Sequence, residues 1–504
     1  MSEIVDLVLL VRRRRGIPAS LVRGLESITR DELADGYGPD PADITLTGKV
    51  MERLGLRVAS ADAASRRVVV KGPLATVAEV FDARITHFEA DDPLGGSRVA
   101  YRGHGELRLP VELDGVVLSV FGLGTTPRAI PLFRSLAGRP QIVYTPPELG
   151  SLYSFPGDTD GSGQTLAVIS VTGGWRQRDI DEYFAQLGLQ TPAIRTVGID
   201  GTGNAPGPAT EAPSPADIEA VLDVQVAGSL APGAQLVNYF APNTDSGILN
   251  ALRTAVHATP APTAISLSWG SSEKSNSEHF VAAMEDLFME AAALGITVCA
   301  ASGDAGSGND EHDGGSHVNY PASSPHVLAV GGTTLIADPS TDTIHSETAW
   351  NTGAGRATGG GVSNLFDLPS WQAQAGVPNR FGTTKKGRGV PDVAANADGM
   401  TGYQIFMNGN TGFVGGTSPA TPLWAALVCR LAQALGRPLG LLQPLIYQDL
   451  VPGNVTPGFR DVAAGDNGAY AAAPGWDPNT GLGSPDGTAL LHALQERTLP
   501  EHTR

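Results

Sequence analysis

Hydrophobic and polar positions follow two rhythms along the chain, and the change falls near residue 122. Before it, Val5 to Val11, Arg67 to Lys71, Ile85 to Glu89, Arg98 to Arg102 and Val116 to Phe121 read as short strands, and Ile44 to Leu54 and Pro73 to Phe81 as helices. Strands interleaved with two helices in so short a segment predict a small α+β sandwich. From Leu123 to Leu149 the patterning fails, interrupted by Pro127, Pro131, Pro140, Pro146 and Pro147. That predicts an exposed linker open to proteolysis.

Beyond Thr165 the strands become continuous apolar runs: Leu166 to Val171, Gln235 to Phe240, Ala264 to Ser268 and Ile296 to Ala300. Helical patterns alternate with them at Asp179 to Leu187, Ser214 to Ala227, Asp245 to His257 and Ser277 to Leu294. Buried strands joined by helical crossovers predict an α/β fold with a doubly wound parallel sheet, whose sites gather at the carboxyl ends of the strands. Ala349 to Gly416 is Gly-rich and reads as loops and short strands. An apolar helix follows from Ser418 to about Leu435, and the tail from Gly453 to Pro485 is again rich in Gly and Asp.

Length and charge sharpen the division. The chain has 504 residues, too many for one core, and a formal net charge of −18. Residues 1–140 hold 19 basic and 18 acidic side chains, whereas the remaining 364 residues hold 15 and 34. So acidic a surface argues against nucleic acid or an anionic membrane as partner, and suits either solubility or work in acid. Arg12 to Arg15 read as a solvated edge or a dock for an acidic partner, which the rest of this chain could supply. Cys299 and Cys429 lie in apolar runs and read as buried free thiols. No apolar run reaches transmembrane length. The block Ile4 to Val11 carries its arginines on the wrong side for a signal peptide.

The stretch Gly415-Gly416-Thr417-Ser418-Pro419 opens the apolar helix and is a place to expose a nucleophilic hydroxyl beside free backbone N–H groups. A serine needs a base. None of the ten histidines stands in a His-Gly-Thr setting, and the serine lacks the second glycine of a G-x-S-x-G elbow. Glu219 and Asp223 are four apart on one predicted helix, among Ile218, Val221, Leu222, Val224 and Val226. They read either as two exposed acids or as a pair that shares a proton and acts as base in acid. Asp304, in Ser302-Gly303-Asp304, either caps a turn after the strand or, protonated, donates to an oxyanion.

In this order, Glu219-Ala220-Val221-Leu222-Asp223, Ser302-Gly303-Asp304 and Gly415-Gly416-Thr417-Ser418 resemble the sedolisin (serine-carboxyl peptidase) family, close to its kumamolisin-like members. Ser268-Trp269-Gly270, Arg388-Gly389-Val390-Pro391-Asp392 and Gly475-Trp476-Asp477-Pro478 extend the resemblance over nearly the whole chain. It implies an acid-acting endopeptidase made as a self-processing zymogen, with Ser418 as nucleophile, Glu219 as base, Asp223 as its tuner and Asp304 as oxyanion donor. It implies a subtilisin-like catalytic domain over 150–504, a linker with the processing site over 123–149 and a ferredoxin-like inhibitory propeptide over 1–122. Ser268, Trp269 and Gly270 would line the cleft for protein or peptide substrates. Relatives often carry a Glu near the end of the first catalytic-domain strand, where this chain offers Ser170. The resemblance also implies a monomer, extracellular placement and one structural Ca²⁺ in the tail, at about 453–485. Asp461, the carbonyls of Val462, Ala473 and Gly475, and Asp477 would hold it, although on spacing alone these acids read as surface turns. The rival readings are a catalytically silent binding protein on the same scaffold and a histidine-dependent subtilisin-like hydrolase.

Overall fold

The computed structural model describes residues 3–24, 26–91, 97–104, 108–135, 140–353 and 355–497. In the amino-terminal region the strands Arg57–Asp62, Arg67–Pro73, Ile4–Val11 and Val117–Phe121 form, in that order, one antiparallel sheet. With the helices Pro41–Arg53 and Leu74–Val80 between them this is the ferredoxin-like βαββαβ arrangement. The strand Arg57–Asp62 breaks the apolar rhythm with Ser60 and Asp62 and escapes a sequence reading. Arg84–Asp91 and Ser97–His104 pair with each other as a hairpin outside that sheet, and the second of them also bridges to the backbone at Leu123 to Thr125.

Strand Ile4–Val11 looks apolar throughout because both its faces are covered. Val5, Leu7, Leu9 and Val11 pack on Val50, Met51, Val77 and Phe81 of the region's own helices. Val8 and Leu10, joined by Phe121, instead meet Ile248, Leu249 and Leu252 of the helix Asp245–Val256 in the larger region. A period of two therefore divides the strand between an internal core and a docking face.

The larger region is built on an eight-stranded sheet. Ile194–Gly198, Gln235–Ala241, Thr165–Val171, Ala264–Leu267, Thr297–Ala301 and Leu328–Asp338 run parallel, with Val393–Asn396 parallel and Thr343–Ala349 antiparallel to the last. Helices Pro215–Leu230 and Thr417–Leu435 cover one face, and Asp245–Val256 and Glu278–Ala293 the other. Alternate residues of each strand go to each side: Leu166 and Val168 to the first, Ala167 and Ile169 to the second. Double coverage is why the strands read as unbroken apolar runs.

Leu328–Asp338 has no such run, because Gly331 and Gly332 sit in its middle. A Cβ at Gly331 would lie 2.7 Å from Pro391, and one at Gly332 2.6 Å from Ala397, so close packing requires the glycines there. The linker also differs from expectation. Ala129, Leu132 and Phe133 are buried rather than exposed, because this segment pairs with strands of the larger region, as described below. Cys299 and Cys429 are free and buried.

Candidate active site

Helix Pro215–Leu230 begins at Ser214, whose hydroxyl accepts the Asp217 N–H at 3.1 Å, with Pro215 in its first turn. Apart from Pro215 and Ile218 it is enclosed on every side, so Glu219 and Asp223, one turn apart, are both 0% exposed. The Ser268 hydroxyl donates to Asp223 Oδ1 at 2.7 Å and lies 3.3 Å from the Ser418 carbonyl. That carbonyl lacks its helical partner because residue 422 is proline. The single hydroxyl hydrogen serves the shorter contact.

Burial first, and then the charge of Asp223, push the Glu219 carboxyl well above the usual range; Asp304 adds to this, while the Ser418 and Ser268 hydroxyls pull the other way. Asp223 is raised by burial and lowered in part by its Ser268 bond. Among the described residues no arginine or lysine offsets this for either acid, so the pair retains a proton to higher pH than exposed carboxyls do. The two hydroxyls face Glu219, but neither meets hydrogen-bond geometry with its oxygens. Ser418 Oγ instead donates to the Ser268 carbonyl at 3.2 Å.

Ser418 enters its helix through Gly416, whose φ is +114°. A Cβ there would come within 2.5 Å of Asp304 Oδ2 and of the Phe133 Cα, and 2.6 Å of the Leu132 carbonyl oxygen. Asp304, just past the strand Thr297–Ala301, accepts the Thr417 N–H at 2.8 Å and the Thr417 hydroxyl at 2.9 Å on Oδ1. Nucleophile, acid pair and Asp304 thus converge from three separate parts of the chain.

Lying across them is the chain's own linker. Ile130–Pro131 pairs antiparallel with Trp269 and Gly270, and Arg134–Ser135 with Val414 and Gly415. Between these, the Leu132 N–H donates to the Ser268 carbonyl at 3.1 Å, and the Leu132 carbonyl accepts the Ser418 N–H at 2.7 Å. The expected cleft residues therefore meet a peptide through backbone. The side chain of Ser268 is turned to Asp223 instead, a partner that its sequence position does not announce.

Ser170 accepts from Asn238 Nδ2 at 2.8 Å, and Asn238 Oδ1 accepts from Trp175 Nε1 at 2.9 Å, so it belongs to a neutral chain of hydrogen bonds. No histidine hydrogen-bonds to Ser418 among the described residues; His257, His317 and His326 pair with Glu290, Asp313 and Glu285.

In the tail, Asp461 accepts the Gly475 N–H at 3.0 Å and Asp477 the Ala473 N–H at 3.2 Å, while the Thr480 hydroxyl lies 3.4 Å from the Val462 carbonyl. The five expected ligand residues are thereby drawn into one loop cluster. Burial raises both carboxyls and no cationic side chain offsets it, a donor set that fits a hard cation. No group of three or more His, Cys, Asp or Glu placed to hold a metal occurs among the described residues, so such a site draws mainly on carbonyls.

Fold and site define a serine-type peptidase on a subtilisin-like scaffold with a carboxylic acid pair beside the serine. Residues 208–452 match the Subtilase family and residues 25–126 the pro-kumamolisin activation domain. The chain is 43% identical to kumamolisin of Bacillus sp. strain MN-32, over 98% of this chain and 92% of that one. It is 31% identical to sedolisin of Pseudomonas sp. strain 101, over 82% and 72%. It is also 28% identical to tripeptidyl-peptidase sed5 of Aspergillus fumigatus, over 92% and 87%. Pseudomonas sedolisin, a serine-carboxyl proteinase solved with two molecules of pseudo-iodotyrostatin, superposes with a TM-score of 0.61 at 30% identity, covering 71% of this chain and all of that one. The chain belongs to the sedolisin family, as a kumamolisin-like proenzyme.

Proposed function

We propose that this proenzyme is a secreted, acid-acting serine-carboxyl endopeptidase that cuts its own linker at Leu132–Phe133. The observation that carries this reading is the Leu132 carbonyl seated on the Ser418 N–H beside Asp304. Ser418 Oγ attacks the Leu132 carbonyl carbon while Glu219, tuned by Asp223, takes the hydroxyl proton. Charge developing on the carbonyl oxygen is met by the Ser418 N–H and by a protonated Asp304. With Thr417 on Oδ1, Asp304 presents its O–H from Oδ2. Glu219 returns the proton to the Phe133 nitrogen as the C–N bond breaks, and water then releases Leu132 from Ser418 with Glu219 again as base.

Chain runs through the cleft on both sides of this bond, from Arg128 to Ser135, which favours endopeptidase action over release of tripeptides. Until the linker is cut the amino-terminal region holds it in place and acts as an intramolecular inhibitor, and a monomer suffices for this. In the tail Asp461, Asp477 and the carbonyls of Val462, Ala473 and Gly475 would hold Ca²⁺, which on binding would staple the loops of 453–485. No helix among the described residues is long and apolar enough to cross a membrane.

The test is incubation of the full-length protein in acid with sequencing of the new amino terminus. Phe133 is expected there, and Ser418→Ala is expected to stay intact. A Ser418→Ala chain that still sheds its first region and digests protein refutes the reading.

A further inference from the structure

Beyond the four linker residues nearest Ser418, the cleft continues to a polar clamp that no part of the reaction uses. Asn243 is buried, and its amide treats the linker backbone as a neighbouring strand would. Asn243 Oδ1 accepts the N–H groups of Arg128 and Ala129 at 3.0 and 2.9 Å, while its Nδ2 donates to the Ala129 carbonyl at 3.0 Å. The clamp fixes where the next side chain goes.

That side chain is Arg128. Its Nη2 donates to Asp245 Oδ2 at 2.9 Å, its Nε lies 2.8 Å from Asp245 Oδ1, and its Nη1 donates to the Ser275 carbonyl at 3.2 Å. Asp245 is three-quarters buried and opens the helix Asp245–Val256, where backbone N–H groups favour an anion. A guanidinium hydrogen-bonded to one carboxylate oxygen and to a carbonyl, with its Nε close to the second carboxylate oxygen, is a geometry that arginine fits and a neutral side chain does not.

Counting back from the Leu132 carbonyl, Arg128 is the fifth residue before the bond to be cut. We propose that Asn243 and Asp245 form a distal subsite that selects substrates with arginine, or less well lysine, five residues before the scissile bond. This rests on the processing register given above. The subsite survives processing because both residues belong to the catalytic region, while Arg128 leaves with the inhibitory region. It is then vacated for the corresponding residue of another chain.

The experiment uses acid-activated protein and two fluorogenic peptides that span linker residues 128–135, one with the natural arginine and one with glutamine in its place. About tenfold higher kcat/KM for the arginine peptide is expected, carried mainly by KM because the contact is remote from the reacting atoms. Asp245→Asn is expected to bring the two peptides within about twofold by lowering only the arginine peptide's value. Equal cleavage of both peptides by the unaltered protein overturns the subsite and leaves Arg128–Asp245 as a latch of the proenzyme alone. Failure to cut either peptide after its leucine overturns the register, and the subsite with it.

Discussion

Two helices each carry a pair of acids one turn apart, and the molecule treats the pairs in opposite ways. Glu219 and Asp223 are buried among apolar side chains and serine hydroxyls, and both are pushed up. Glu290 is just as buried, with Asp286 half-buried beside it, yet Glu290 is held far below the usual carboxylate range. Burial alone would raise it. It is overcome by His257, at 2.8 Å, and by Arg13 and Arg66, both of which contact Glu290 and Asp286. Both arginines come from the inhibitory region, and burial pushes Arg66 down to about 9 even so. One pair is raised and, in the proposed reading, stores a proton for chemistry; the other is a charged latch between two regions. Spacing on a helix decides neither.

The contrast has a sign in pH. The Glu219–Asp223 pair, raised in the folded state, contributes stability that is complete below the ordinary carboxyl range and is lost as pH rises through its folded values. Glu290, depressed, contributes stability that is present above the ordinary glutamate value and is lost only as pH falls far into acid. In mild acid, therefore, the catalytic pair holds its proton while the latch still holds the linker over Ser418. If the proposed self-processing holds, the first cut is made with the inhibitory region still docked.

The sharpest break of the comparison is Glu219→Gln. The amide keeps the shape and removes the base, so kcat/KM is expected to fall by about 10² to 10⁴. The gain in thermal midpoint on passing from neutral pH to mild acid is expected to shrink at the same time. Unchanged activity would mean that the pair is structural. Next is Glu290→Gln, which leaves Arg13 and Arg66 without their buried partner. A loss of about 3 to 5 kcal/mol in docking is expected, read as leakage of activity from unprocessed protein at neutral pH. A fully latent variant would show that the apolar face of Ile4–Val11 suffices.

A third pair, Asp461 and Asp477, is raised by burial with no cationic side chain offsetting it among the described residues. If Ca²⁺ supplies the charge, a chelator is expected to remove stabilisation of about 2.7 kcal/mol for an ion present at a hundred times its Kd. An unchanged thermal midpoint would remove the metal from the account. The smallest effect is expected from Ser268→Ala, about 1 to 2 kcal/mol. Losing its bond raises Asp223 further, so the limb of the pH–rate profile on which the pair ionises should move to higher pH. No movement would mean that Ser268 only fills space.

Much of this site is legible in residue order. Glu219, Asp223, Asp304 and Ser418 stand in motifs whose order points to one another, and the helix around the first two announces its burial by being apolar on nearly every side. The parallel sheet is legible for the same reason, because doubly covered strands leave no polar alternation. Leu328–Asp338 is not, since close packing placed glycines where apolar residues would have marked a strand. The linker misleads in the other direction. Its prolines and lack of rhythm suggest exposure, but Leu132 and Phe133 are buried between Ile130–Pro131, paired with Trp269–Gly270, and Arg134–Ser135, paired with Val414–Gly415, a relation between segments that no local pattern records.

The sequence by itself determined the kind of chemistry available and the layers that carry it, because apolar period, capping residues and nucleophile context are local properties. Only the tertiary structure decided which acids keep a proton and which stay charged. Arg13 lies 273 residues from Asp286 and Arg66 lies 224 from Glu290 along the chain. A carboxyl answers to the charges and solvent within a few ångströms, and here those neighbours are assembled by folding alone.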